Sequence, residues 1–122
     1  MTTTIRLSEP PPSLNNLFAN AGAKGRVKTA GYRMWLQAAG WELIEQRPRS
    51  VSGPVSIALE VGPSACDLDN HAKGALDLLA RHRVISDDGP TVVREIVLRR
   101  VEPRGVCITI SALKPAQEAR AA

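Results

Sequence analysis

The stretch Asp67–Gly89, DLDNHAKGALDLLARHRVISDDG, opens with two aspartates, closes on two more and carries a single lysine near the first pair. Its middle predicts a short helix from Asn70 to about His82. There Ala72, Leu76 and Leu79 recur at helical spacing, which buries one face and leaves Lys73, Asp77 and Arg81 nearer the other. A helix at this point decides the fold class, because strand patterns lie on both sides of it.

Just before it, Val55, Ile57, Leu59 and Val61 alternate with small or polar residues, the period of a strand that runs straight into the acidic segment. After it, Gly89 and Pro90 punctuate the chain, and TVVREIVLRRV and VCITISAL predict two strands joined by the turn EPRG into a hairpin. Upstream, Thr29 is a candidate N-cap for a helix reaching Gln46, which Pro48 stops. Met34, Ala38, Trp41 and Ile44 form an apolar stripe on it that is expected to face the core, and Trp35 and Trp41 both read as packing residues. The first strand is expected over residues 3–9, TTIRLSE, ended by three prolines. Pro10 to Lys28 then predicts an extended loop with Gly22 and Gly25 adding freedom.

The expected architecture is α+β: a single domain over residues 1–113 in the order β-α-β-α-β-β, with two main helices packed on a mixed β-sheet. The segment 114–122, KPAQEARAA, holds too little apolar surface to pack and is expected to be a flexible tail.

Hydrophobic residues at 43% and charged residues at 23% place the chain among ordinary globular domains, away from disordered and coiled-coil compositions. Only 3% is aromatic, which argues against a nucleic-acid reader built mainly on base stacking. The net charge of +4 leans toward a polyanionic partner. Cys66 and Cys107 have no CxxC spacing and no histidine partners in a zinc pattern, so both read as buried free thiols. His71 and His82 are expected at exposed helix positions. There is no signal-peptide core at the N-terminus and no run of apolar residues long enough for a membrane span, so a reduced, cytoplasmic protein is expected, with no membrane partner.

The chemistry concentrates in the acids. If the backbone is still extended at Asp67 and Asp69, both project from one side, and Lys73 reaches back along the helix toward them. A helix of this length is roughly 20 Å long at 1.5 Å per residue, so Asp87 and Asp88 meet the first pair only if HRVISDDG turns back. If it does, three or four carboxylates converge, and their repulsion calls for a hard cation. An oxygen-only set suits Mg2+ or Mn2+, which supports phosphodiester hydrolysis, with Lys73 adding positive charge where the transition state gains negative charge. The plainer alternative stays open: Asp69 caps a helix, Lys73 pairs with Asp69 or Asp77 on the surface, and Asp87-Asp88-Gly89 is a turn.

The order PPSLN (Pro11–Asn15), then DLDNxxK (Asp67, Leu68, Asp69, Asn70, Lys73), then LDLL and VISDD (Val84–Asp88) closely resembles RusA-type Holliday junction resolvases. The resemblance covers most of the chain. It implies a small homodimeric, Mg2+-dependent endonuclease that cuts four-way DNA junctions by paired nicks in recombination and repair, with no small-molecule cofactor. By matching position, Asp67, Asp69 and Asp88 correspond to the metal-binding aspartates, Lys73 to the essential lysine and Asp87 to the neighbouring acid. Asn15 matches the family's loop asparagine. Some members carry a run of arginines before the first aspartate, whereas this chain has GPSAC. The expected DNA contacts are therefore Asn15 and the loop cations Lys24, Arg26 and Lys28. Two other classes compete: a branched-DNA-binding protein without turnover, and a phospho-acceptor signalling domain, whose lysine normally comes late in the chain.

Overall fold

The structure, a computed structural model, describes residues 1–113. Along the chain run β1 (Thr2–Leu7), β2 (Phe18–Asn20), β3 (Arg26–Lys28), α1 (Ala30–Gln46), β4 (Val55–Val61), α2 (Ala72–Arg81), β5 (Val93–Arg100) and β6 (Val106–Ala112). Short 3-10 turns occupy Leu14–Asn16, Gly22–Lys24 and Leu68–His71. The expected tail at 114–122 lies outside the described residues.

β4 and β5 are parallel, so the chain between them must cross over the sheet, and α2 is that crossover. The main sheet has the order β1-β6-β4-β5, with β6 antiparallel to both β1 and β4. A mixed sheet with two helices makes this one small α+β domain, as expected. The last two strands, however, do not form a hairpin, because β4 lies between them. Val106, Ile108 and Ile110 of β6 are all buried and suit an interior strand. β5 carries Arg94, Glu95, Arg99 and Arg100 and takes the edge, where long charged side chains reach water. The loop expected over 10–28 also contains structure, since β2 and β3 pair antiparallel as a small hairpin.

α1 starts where its cap predicts: the Thr29 hydroxyl accepts a hydrogen bond from the Tyr32 amide at 3.2 Å. The helix buries Tyr32, Trp35, Leu36, Ala39, Gly40 and Leu43 against the sheet. The expected core stripe is on the other side, with Met34 71%, Trp41 64% and Ile44 51% exposed. α1 is apolar on two faces, and tertiary partners choose between them. Trp35 Nε1 donates to the Glu9 carbonyl and Tyr32 to Asp77, so this face satisfies its polar atoms when buried. Trp35 is thus a packing residue and Trp41 is not. On the sheet, Ile5, Leu7, Val55, Ile57, Leu59, Val61, Ile108 and Ile110 form the floor of the core.

Candidate functional site

β4 ends at Val61, and the chain passes through Gly62–Cys66 into the 3-10 turn Leu68–His71, with Asp67 in the extended conformation at its head. α2 starts only at Ala72, preceded by His71, so Asp69 does not cap the helix. Because Asp69 lies in a 3-10 turn, strand alternation does not set its direction. Asp67 and Asp69 are both exposed, and neither carboxylate has a partner among the described residues.

The far-end acids do turn back, and Asp88 comes to Lys73. After α2, Arg83 adopts a left-handed conformation (φ 57°), the Val84 amide bonds the Leu79 carbonyl, and Val84 and Ile85 bury themselves in the core. This reversal brings Asp88 to Lys73, with Oδ2 3.4 Å from Nζ. Lys73 does not reach back to Asp67 and Asp69. It sits between Asp88 and Asp77, whose Oδ1 is 2.9 Å away. Asp87 instead accepts from the Gly89 amide at 3.1 Å, a local turn bond. Among the described residues no group of three or more His, Cys, Asp or Glu side chains is placed to hold a metal ion, so the expected carboxylates do not form a closed protein site by themselves.

Asp77, expected only as a surface partner of Lys73, joins this cluster from a half-buried position. Its only local signal is the i, i+4 spacing to Lys73. Its Oδ2 accepts from the Tyr32 hydroxyl at 2.5 Å, which ties α1 to α2. Burial alone pushes the Asp77 carboxyl up, but hydrogen bonds from Tyr32 and Lys73 outweigh it and hold the group below the usual carboxylate range. The bond to Asp77 in turn raises the Lys73 ammonium against its own partial burial. Burial, reinforced by Asp77, pushes the Tyr32 phenol upward. A charged ammonium, a charged carboxylate and a neutral phenol therefore coexist at neutral pH.

His71, expected at the surface, is 1% exposed. Its Nδ1 lies 2.6 Å from the Pro11 carbonyl, which can only accept, so Nδ1 carries the hydrogen. Nε2 lies 2.8 Å from the Ser64 hydroxyl. Arg100 on β5 donates to the Gly62 carbonyl, the Ser64 hydroxyl and the Cys66 carbonyl. The GPSAC stretch is thus fastened from β5 on one side and, through His71, to the proline loop on the other. Gly74 closes the same junction, because a Cβ there would stand 2.7 Å from Pro11 Cβ. Cys66 and Cys107 are free thiols but half-buried rather than fully buried. His82 is also half-buried.

Of the expected DNA contacts, Lys28 joins the acid–lysine cluster, lining one groove with Phe18, Lys73, Asp77 and Arg81. Arg26 lies over the Phe18 ring at 4.9 Å, Lys24 is exposed in the turn of the β2–β3 hairpin, and Asn15 is exposed in the Leu14–Asn16 turn. Chemically, the unpartnered oxygens of Asp67 and Asp69 suit a hard cation. Mg2+ is commonly held by one or two carboxylates together with water and substrate phosphate oxygens, rather than by a closed protein cage.

A protein-family model described as Endodeoxyribonuclease RusA matches residues 8–111 of the chain. No curated protein matches it.

Proposed function

Since the chain belongs to the RusA endodeoxyribonuclease family, we propose that it is a structure-selective endonuclease that resolves four-way DNA junctions by paired phosphodiester hydrolysis, acting as a homodimer with Mg2+ or Mn2+ in the cytoplasm. What carries this reading is the return of Asp88 to Lys73 in the first turn of α2, the helix that Asp67 and Asp69 precede with exposed, unpartnered carboxylates. The two free thiols suit a reducing compartment.

In this reading Asp67 and Asp69, with Asp88, supply the protein oxygens for the cation, and Asp87 stands beside them. When bound, the metal polarises the phosphoryl group and lowers the pKa of water. In the reaction a water oxygen bonds to phosphorus, the bond from phosphorus to one sugar oxygen breaks, and that oxygen leaves with a proton. An aspartate of the cluster takes the proton from the attacking water and passes it on to solvent, and a solvent water supplies the proton that the leaving oxygen gains. Lys73 places its ammonium near the charge that builds on the phosphate, and Asp77 and Tyr32 hold it there. Asn15, Lys24, Arg26 and Lys28 contact the DNA backbone. A two-fold junction with two scissile phosphates calls for two copies of the site.

A second reading, a branched-DNA binder without turnover, is favoured by one observation, the lack of a three-ligand group among the described residues. Incubating a synthetic four-way junction, and separately a linear duplex, with Mg2+ separates the two. The endonuclease cuts the junction in preference to the duplex, and Asp69→Asn abolishes cutting while retaining binding. Equal, negligible cutting by both proteins would establish the binder instead.

A further inference from the structure

We propose that the groove between α1 and α2, on the Trp41 side of Lys28, takes up an unpaired nucleotide of branched DNA: its base stacks on Trp41, and its flanking phosphates meet Lys28, Arg33 and Arg81. The inference rests on the endonuclease reading and extends it to how a branch point is told from plain duplex. The groove measures about 600 Å3, within the range of small-ligand sites, and its polar lining includes three cations and no acid.

Trp41 is 64% exposed on the helix face that the core does not use. An indole at the edge of a basic groove offers a flat surface to a base. The three cations are differently held. Arg33 Nη1 donates to the Lys28 carbonyl at 2.7 Å, which fixes its guanidinium beside Lys28. The Lys28 and Arg81 side chains make no hydrogen bond or ion pair among the described residues, leaving their charges available to an anion. Gly40 and His82 also line the groove, and the absent Cβ leaves room for the imidazole, which a side chain at Gly40 would meet at 2.8 Å.

Position adds the link to chemistry. This groove and the one holding Lys73 and Asp77 share Lys28, Leu36 and Arg81 as a common wall. A strand whose phosphate lies at Lys73 therefore has a continuous basic path to Trp41. One ring cannot serve as a platform for many bases, but one unpaired base needs only one ring. Such a base becomes available where pairs open at a branch point or frayed end, at a lower cost than extruding it from intact duplex.

The test measures binding of a labelled four-way junction and of a linear duplex in EDTA, where nothing is cut. Trp41→Ala is expected to weaken junction binding roughly tenfold, the scale of one lost base stack, and to leave duplex binding unchanged. Arg81→Ala is expected to reduce the slope of log K against log salt by about 0.7 to 0.9, one phosphate contact. The junction should quench tryptophan emission in the native chain and not in Trp41→Phe. Both side chains are exposed, and circular dichroism verifies that each variant folds. If the native chain binds and cuts junctions and both variants bind equally well, the groove is refuted and the endonuclease stands. If the native chain neither binds nor cuts, the endonuclease reading falls and takes the groove with it. If Trp41→Ala turns a sedimenting dimer into a monomer, the groove belongs to a second copy of the chain and the nucleotide proposal is overturned.

Discussion

Tyr32 on α1 donates its phenolic hydrogen to Asp77 on α2 across 2.5 Å, and the other oxygen of Asp77 holds Lys73 at 2.9 Å. The first helix thereby sets the position of the lysine on the second. Tyr32→Phe removes the donor and keeps the ring between Phe18 and Trp35. Losing a hydrogen bond to a partly buried charged group costs about 1.5–3 kcal/mol. Thermal melting should show this loss, and junction cleavage should show a lower kcat with little change in KM. An unaltered melting temperature would remove the link between the helices.

The same pair governs acid stability. The folded-state pKa of Asp77 lies below its ordinary value, so its contribution is fully present above the normal carboxylate range, about 3.9, and is lost as pH falls through the lowered value. For Lys73, raised in the folded state, the contribution is present below about 10.4 and is lost as pH climbs through the raised value. Melting temperatures of the native chain and Asp77→Asn, compared from neutral pH downward, should start to converge at about pH 3.9 and meet once the pH has fallen below the lowered value. A gap that persists there would show that the carboxylate charge is not what stabilises.

Asp67→Asn and Asp69→Asn should leave stability within about 0.5 kcal/mol of native, because exposed carboxylates without partners lose nothing on neutralisation. The double variant has a second use. Millimolar Mg2+ or Mn2+ should raise the melting temperature of the native chain and not that of the double variant, since only a binding-competent fold gains by mass action. Equal shifts in both proteins would place the cation elsewhere.

His71→Leu leaves the Pro11 carbonyl and the Ser64 hydroxyl without their buried partner, a cost of about 1–3 kcal/mol. Amide hydrogen exchange should quicken around Ser13 and from Ser64 to Asp69, the two segments that His71 joins, while β4 and β6 stay protected. Uniform exchange across the chain would mean that the histidine stabilises the fold as a whole.

Gly74→Ala drives a Cβ to 2.7 Å from Pro11 Cβ and should destabilise by about 1–3 kcal/mol, the usual range for overpacking. The same change at Gly31, where nothing lies within 4 Å, is the control and should be tolerated.

Much of the fold is legible in local patterns. Thr29 marks the start of α1 because a hydroxyl one residue ahead of a helix caps it, and Val55–Val61 reads as a strand because every second residue is apolar. The acid–lysine set is legible as residue types at a spacing. The direction of those side chains is not, because Lys73 is as near in sequence to Asp69 as to Asp77, and both lie one helical turn away. His71 is hidden in the same way: whether it is buried depends on Pro11 arriving from the other end of the domain.

The chain's own order of residues determined which of the longer segments become strands and helices, the acids and lysine available for chemistry, and the resemblance those motifs carry. These follow from interactions within a turn or two of the backbone. Tertiary structure alone decided that β6 sits between β1 and β4, that α1 buries Trp35 and exposes Trp41, and that Asp88 returns to Lys73. Each of these turns on which distant segments pack together, and alternative packings share the same local periodicity, so only the summed burial and hydrogen bonding of the whole domain selects among them.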